Sequence, residues 1–438
     1  MSKLPGVHAP HRKNTAEMPA VRMPVPAVVT IPMSMHIGAP AKPIVKMMDL
    51  VKVGQPIAEA GGFVSAPIHS SVSGKVKAVD NFLMSDGRYV PAVTIETDGL
   101  QEVWEGVKAP EVTDFASFVE AVRQSGAVGL GDAGFPTSVK LGVKDLSAVE
   151  HIIINGAECE PYITSDTRTM IDDADLMLDG VKLLQKFMGV KSVIIGIEDN
   201  KKEAIELLNK KTSGMEGVKV AALPALYPQG GEKVLIYHTT GRVVPEGGLP
   251  LNVGCIVINC TTLAVIAKYV QTGMPLVEKV VTVDGPAVAA PKNVIVPVGA
   301  SMQDVFDFAG GFKAEPRKVI YGGPMMGIAV PDLTAPILKT TNAIVAFDEQ
   351  SAEAPKETAC IRCGRCVNAC PFSLMPAAIE GAQKRGDGEK LEALKVNLCM
   401  ECGCCSFVCP AKRNLVQTNK LGKMELRKYQ EAKKAENN

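Results

Sequence analysis

Apolar and polar positions change their period several times along the chain. Residues 1–35, rich in Pro and Met with mixed charge, show neither a helical nor a strand period and predict an extended arm with no core of its own. From His36 to about Ile95 short apolar runs alternate with turn residues, as in VKVGQPIAEAGGFVSAPIHSSVSGKVKAV, which predicts a small all-β module over residues 36–100. Residues 114–275 then alternate helix and strand. FASFVEAVRQSG reads as an amphipathic helix, HIIIN as a buried strand, and Arg168–Phe187 as a helix with Met170, Ala174, Leu178, Val181, Leu184 and Phe187 on one face. SVIIGI, KKEAIELLNKK and VKVAAL continue the order strand, helix, strand, the pattern of an α/β layer with parallel strands. Over residues 276–345, VVTVDG, VIVPV, a helix at Ser301–Ala309 and VIYGGPMMG predict a compact β-grasp domain. A helical segment at 350–415 and a basic tail at 416–438 complete a multidomain α/β chain.

Length and composition narrow the function. At 438 residues the chain exceeds what one core organises, so several domains are expected. Lys plus Arg and Asp plus Glu both number 47 and aromatic residues make up 5%, which leaves neither the field nor the stacking surface of a nucleic-acid binder. The greasiest stretch, Gly254–Ala267, is broken by Asn259, Thr261 and Thr262, so no bilayer span is expected. The N-terminal MSKLPGVHAPHRKN has no apolar core or cleavage site, and a cytosolic chain is expected.

Cysteine placement decides the chemistry. Of twelve cysteines, nine fall between Cys360 and Cys409. Cys360-x2-Cys363-x2-Cys366-x3-Cys370-Pro371 is repeated as Cys399-x2-Cys402-x2-Cys405-x3-Cys409-Pro410. Three thiolates at this spacing wrap one corner of an iron–sulfur cube, while the fourth points to the other cube. Two [4Fe-4S] clusters are expected, one on Cys360, Cys363, Cys366 and Cys409, the other on Cys399, Cys402, Cys405 and Cys370. Paired zinc sites are the alternative, but zinc knuckles separate their cysteines into two pairs and three at this spacing crowd one ion. Cys404 falls outside the repeat and reads as a buried thiol.

Gly129-x-Gly131-x-x-Gly134 matches the dinucleotide fingerprint as a string, yet a helix leads in and Phe135-Pro136 leads out, so the strand–loop–helix context fails. What remains is a bare loop that a flat or phosphorylated ligand can approach, with Lys140 nearby to meet a phosphate.

Several stretches carry resemblances. VGQPIAEA and SAPIHSSVSGKV resemble the barrel-sandwich fold of biotinyl and lipoyl carrier domains, but Glu59, Ala60, Gly61 and Gly62 stand where the carrier lysine would be, so a structural or docking barrel is expected. GLGDAGFPT, INGAECEP, GGEK at Gly230–Lys233 and Asn259 resemble, in this order, the flavin-binding subunit of respiratory complex I. With HIGAPAKP, INGAECEPYITSD, YPQGGEK, GGLPLNVG and the two cysteine repeats, residues 6–415 resemble the RnfC component of the Rnf-type ion-translocating ferredoxin:NAD oxidoreductases.

The resemblance implies an FMN- and NAD(H)-binding α/β domain. It makes Gly129, Gly131, Gly134, Lys140, Asn155, Glu158, Glu232 and Asn259 cofactor-binding residues. Glu158 and Phe135 would serve the reaction, the ring facing the nicotinamide or adenine. Asp132 stands where related loops carry Gly and should point outward, and Cys159 inside the flavin turn reads as a buried thiol. NAD(H) moves hydride pairs and an iron–sulfur cube single electrons, so FMN is the implied intermediary. The implied function is the peripheral, NAD-facing subunit of a membrane complex at the cytoplasmic face. It would pass electrons between ferredoxin-type donors and NAD+, with an iron–sulfur subunit among its partners and ion transport left to other subunits. A soluble corrinoid reductase and a non-catalytic iron–sulfur scaffold are the alternatives. The arm, the barrel and the basic tail are the expected docking surfaces, and removing arm and barrel is expected to leave the flavin and cluster domains active.

Overall fold

The computed structural model of the chain describes residues 4–131 and 134–436. The arm is woven through two other domains before it reaches the barrel. Val7 exchanges backbone hydrogen bonds with Tyr227 at 2.8 and 3.0 Å, and β1 (Val21–Arg22) runs parallel to the strand at Lys292–Pro297. The arm ends earlier than residue 35, because in Val28–Pro32 the buried Val29 and Ile31 alternate with half-exposed Val28 and Thr30 and the segment is itself a barrel strand, β2.

The barrel packs two antiparallel sheets. One has the order β2, β8 (Tyr89–Thr97), β7 (Gly74–Leu83), β4 (Leu50–Val51), and the other β3 (Lys42–Pro43), β5 (Pro56–Glu59), β6 (Ile68–His69). Val29, Ile31, Ile57, Ile68, Val76, Val93 and Ile95 fill the space between them. At the tip where carrier domains present lysine, a β-carbon on Gly61 would lie 1.9 Å from the Pro40 carbonyl oxygen, so this position accepts no side chain.

The α/β domain opens with α1 (Phe115–Gln124), capped by the Asp114 side chain, and α2 (Thr137–Leu141). Its four strands, β9 (His151–Gly156), β10 (Ser192–Glu198), β11 (Val218–Leu223) and β12 (Cys255–Asn259), are all parallel, in the order β11-β10-β9-β12. Both faces are covered, as parallel sheets require. Ile152 and Ile154 face α1, α4 (Ala174–Met188) and α7 (Cys260–Thr272), while Ile153 and Val257 face α6 (Glu232–Thr240). The single helix expected at 168–187 is two, α3 (Ser165–Asp172) and α4, with Asp173 between them. All six apolar positions expected on its face are buried. α5 (Lys202–Thr212) joins β10 to β11.

A six-stranded mixed sheet follows, in the order β1, β14 (Lys292–Pro297), β13 (Glu278–Asp284), β17 (Ala343–Phe347), β15 (Lys318–Tyr321), β16 (Ile328–Ala329). α8 (Met302–Phe308), capped by Ser301, closes its core with Met302, Val305 and Phe306.

The cysteine-rich domain is built from α9 (Glu349–Ala352), α10 (Arg365–Asn368), α11 (Pro376–Lys384), α12 (Gly388–Ala393), α13 (Cys404–Phe407) and α14 (Leu415–Glu436). The expected basic tail is therefore corrected. Residues 415–436 form one helix whose Leu426 and Tyr429 pack with Ile379, Leu391 and Val396 of this domain. Amphipathic burial fixes its place, and its lysines pair with the same domain, Lys423 with Glu401 at 2.7 Å and Lys433 with Glu392 at 3.6 Å.

Candidate functional site

Strand order reverses between β9 and β12, and the crevice outside the carboxyl ends of such strands is where open α/β sheets receive ligands. Asn155 and Asn259 stand there as direct register partners. Asn155 donates to the Gly230 carbonyl at 3.0 Å and accepts from the Ala157 amide at 3.1 Å, tying the exit of β9 to the 228–231 turn. Asn259 caps α7, accepting from the amides of Thr261 and Thr262 at 2.8 and 3.1 Å, and donates to Asp166 at 2.7 Å.

The glycine loop folds onto that cap. The Gly129 amide donates to the Phe135 carbonyl at 2.9 Å, closing the loop. The Leu130 amide donates to the Thr262 hydroxyl, also at 2.9 Å. Gly131 has φ +84°, and a β-carbon there would lie 3.2 Å from Asn259 Nδ2, 3.4 Å from Asp166 Oδ2 and 3.6 Å from Asn342 Nδ2. Gly134, at φ +71°, packs against Thr340. Asp132 lies outside the described residues.

Two expected ligands are engaged with other partners. Glu158 is 6% exposed and accepts from the Asp166 and Thr167 amides at 2.7 and 3.2 Å and from the Thr167 hydroxyl at 2.7 Å, so both carboxylate oxygens bind the N-terminus of α3. Burial first, and then Glu158, pushes the Asp166 carboxyl up to about 6. Lys140 reaches Glu232 at 3.2 Å and the Val257 carbonyl at 3.1 Å, so the ammonium expected at a phosphate is paired with another expected site residue.

Three residues to which the sequence assigned no role hold the site together. Lys13 of the arm is half-buried with its ammonium enclosed, and donates to the carbonyls of Glu158, Glu160 and Ile163 at 2.7, 2.7 and 2.6 Å. Burial pulls its ammonium down to about 8. Glu160 accepts from the amides of Met325 and Met326 at 3.1 and 2.8 Å, joining the turn to the mixed-sheet domain. The Tyr227 hydroxyl donates to the Cys402 carbonyl at 2.7 Å. Tyr227 and Glu160 lie within the quoted stretches YPQGGEK and INGAECEP, whereas no spacing or composition signal singles out a lysine bound to carbonyls.

The cysteines form two groups. Cys360, Cys363, Cys366 and Cys409 line one cavity of about 240 Å³, together with Ile361, Met375 and Pro410. Cys370 and Cys399 share an apolar cluster, and the Cys405 thiol is pushed up to about 12 by burial and then by Cys399 and Cys402. Among the described residues no three metal-binding side chains converge as the ligands of one ion do. Each fourth cysteine, Cys409 and Cys370, lies with the three of the other repeat, the exchange that a pair of cubes uses and a zinc knuckle does not. Cys404 is buried, its thiol directed at the Tyr227 carbonyl at 3.8 Å. Cys159 accepts from the Gly230 amide at 3.4 Å, and burial pushes its thiol up to about 12.

Residues 122–268 match the family profile of the Nuo51 FMN-binding domain, and residues 357–434 that of a 4Fe-4S dicluster domain. Residues 3–100 match the RnfC barrel sandwich hybrid domain and 280–329 the SLBB domain. The chain is 44% identical over 425 residues to the C component of the Na(+)-translocating ferredoxin:NAD(+) oxidoreductase complex of Acetobacterium woodii, covering 96% of both. It is 43% identical over 378 residues to the C component of the proton-translocating ferredoxin:NAD(+) oxidoreductase complex of Clostridium ljungdahlii, covering 85% of this chain and 82% of that one. The chain belongs to this RnfC family.

As a member of the RnfC family it has FMN and two [4Fe-4S] clusters as cofactors. A solved NAD+-reducing [NiFe]-hydrogenase, at 18% identity and TM-score 0.52 over 72% of this chain and 63% of that one, shares the fold. The residues fit the cofactors. The glycine loop, bare of side chains at Gly129, Gly131 and Gly134, suits the close approach of a flat ligand, and two groups of four thiols suit two cubes. The family's barrel domain begins in the arm and its dicluster domain runs through most of α14, in line with the packing of both segments.

Proposed function

We propose that this chain is the NAD(H)-reactive, peripheral subunit of an ion-translocating complex, passing electrons between a ferredoxin-type donor and NAD+. The observation that carries it is the junction between the flavin crevice and the second cysteine group. Tyr227 is hydrogen-bonded to Cys402, Met400 packs against Gly231, and the same turn accepts the Asn155 amide. Bound FMN, with three redox levels, supplies the exchange between single electrons and a hydride pair. The protein's own residues shape and seal the crevice. Asn259 and Thr262 fix the glycine loop, Asn155 and Lys13 fix the turns on either side of β9, and the cluster of Val7, Ala9, Tyr227, Cys159, Met400 and Cys404 excludes water between crevice and thiols. In this arrangement Asn155, Glu158 and Asn259 act by position, while Gly129, Gly131, Gly134 and Phe135 face the ligand and Glu232 with Lys140 borders it.

Cys360 and Cys363 are exposed, and Ile361, Arg362, Arg365 and Met375 around them are exposed too. This face suits the docking of an acidic iron–sulfur protein, so electrons enter at the first cluster and reach the crevice through the second. Among the described residues no helix is long and apolar enough to cross a membrane. Attachment at the cytoplasmic face therefore goes through protein partners, for which Met47, Met48 and Leu50 of the barrel offer an exposed apolar surface. The hairpin β13–β14, helix α8 and the parallel pairing of β13 with β17 support reading the mixed-sheet domain as a β-grasp.

The test is anaerobic stopped-flow mixing with NADH. FMN should bleach in the native chain and in Cys363→Ser alike, while electron transfer to an external iron–sulfur protein is lost only in the variant. Unaltered transfer in Cys363→Ser would remove the entry route, and absence of NADH bleaching in the FMN-loaded native chain would remove the function.

A further inference from the structure

The duplication of the cysteine motif extends beyond the cysteines. Arg362 and Glu401 have φ of +56° and +62°, Gly364 and Gly403 +76° and +79°, and Ser373 and Lys412 both +53°. Each pair is related by the offset that separates Cys360 from Cys399. The same offset takes Pro376, the first residue of α11, to Leu415, the first residue of α14. Two copies of one loop-and-helix unit thus face each other, and α14 begins as the copy of α11.

Within this relation Glu380 of α11 corresponds to Asn419 of α14. Both are buried. Glu380 is held by Arg413, with Nε to Oε2 at 2.8 Å, and by Lys384 at 2.9 Å. A carboxylate so placed has no proton to donate. Asn419 is 1% exposed and donates from Nδ2 to the Cys399 sulfur at 3.5 Å, while its Oδ1 has no hydrogen-bond partner. The Glu401 amide approaches the same sulfur at 3.4 Å. A buried amide that leaves its oxygen unsatisfied while aiming its N–H at a ligand sulfur is hard to account for by packing, since an apolar side chain would fill the space without the orphaned oxygen.

Reduction of an iron–sulfur cube adds negative charge that spreads onto its sulfurs, and an N–H directed at a ligand sulfur stabilises the reduced state more than the oxidised one. We propose that Asn419 is a positioning residue that raises the reduction potential of the cluster held by Cys370, Cys399, Cys402 and Cys405. The matching Glu380 withholds this contact from the other cluster, so the duplicated fold carries two cubes made unequal at one corresponding position. This rests on the dicluster reading of the chain.

The experiment is a potentiometric titration of the full-length chain, purified anaerobically with both clusters in place and followed by electron paramagnetic resonance. Asn419→Leu keeps the volume and removes the N–H. One of the two cluster waves should move to lower potential by the equivalent of about a tenfold change in the reduction equilibrium, ~59 mV for a one-electron couple. The other wave should stay in place, and Asn419→Gln should return the first toward its native value. Should the leucine variant lose iron, Asn419→Val, which likewise has no donor, provides the same comparison. Unmoved waves, an equal shift of both or a shift to higher potential, with iron and sulfide retained, would overturn the inference. Native protein without about eight iron and eight sulfide atoms would instead overturn the dicluster reading.

Discussion

The ammonium of Lys339 donates to the Gly126 carbonyl at 2.8 Å from a side chain that has no solvent exposure. The same nitrogen donates to the Pro67 carbonyl at 2.7 Å, so one lysine from the mixed-sheet domain pins the barrel to the strand of chain that leads into the glycine loop. Burial pulls it from 10.5 down to about 7. Between those values the unfolded chain binds this proton and the folded chain does not, so stability rises with pH from about 7 toward 10. Lys339→Met should remove about 1.36 kcal/mol per pH unit of that slope in denaturant titrations at pH 7.5–9. It should also cost about 1–3 kcal/mol for each carbonyl left unpaired.

Gly131→Ala should lower flavin retention. Its positive φ disfavours any side chain, by about 1 kcal/mol or more, and the added methyl would press on Asn259 and Asp166. Flavin released per mole of protein, read by fluorescence after gel filtration, should drop while the cluster absorbance stays.

Glu158→Gln should act through α3. Exchanging the carboxylate for an amide places an NH2 or a weaker acceptor against the Asp166 and Thr167 amides, at a cost of about 1.5–3 kcal/mol. The melting temperature should fall, and the KM for NADH should change less than it would for a direct ligand.

Tyr227→Phe should leave iron, sulfide and flavin contents near native and slow electron passage between crevice and second cluster. The ring stays packed, but the Cys402 carbonyl loses its donor. Stopped-flow traces should show NADH bleaching at the native rate followed by delayed cluster reduction.

Lys13→Met should resemble deletion of the arm. The carbonyls of Glu160 and Ile163 would lose the lysine donor and that of Glu158 would keep only Lys201 at 3.4 Å, and the protein should lose flavin and aggregate on mild heating. An arm-and-barrel deletion should therefore fail to retain NADH-to-dye activity, contrary to the expectation from sequence, because the arm completes the flavin domain.

What was legible in the sequence followed local repetition. The doubled cysteine spacing, the alternation around HIIIN and SVIIGI, and the turn-punctuated barrel each announce themselves within a few residues. The roles of Glu158, Asn155 and Asn259 were only half legible, because a side chain that caps a helix or clasps a turn has the same chemistry as one that binds a ribityl hydroxyl. Lys13 and Lys339 were illegible, since their partners are backbone carbonyls far away in the chain. The helical continuation of the cysteine repeat was present in the spacing from Pro376 to Leu415, but it is carried by backbone angles more than by residue identity.

The threading of the arm has a consequence for synthesis. Lys13 and Glu158 are separated by 145 residues, and Thr15 and Asn293 by 278. The arm is thus made well before the residues it binds, and at roughly 5–20 residues per second it waits many seconds for them. Until Ile163 has been made, the ammonium of Lys13 lacks the carbonyls that hold it, so the arm and the flavin domain gain their order together rather than one after the other.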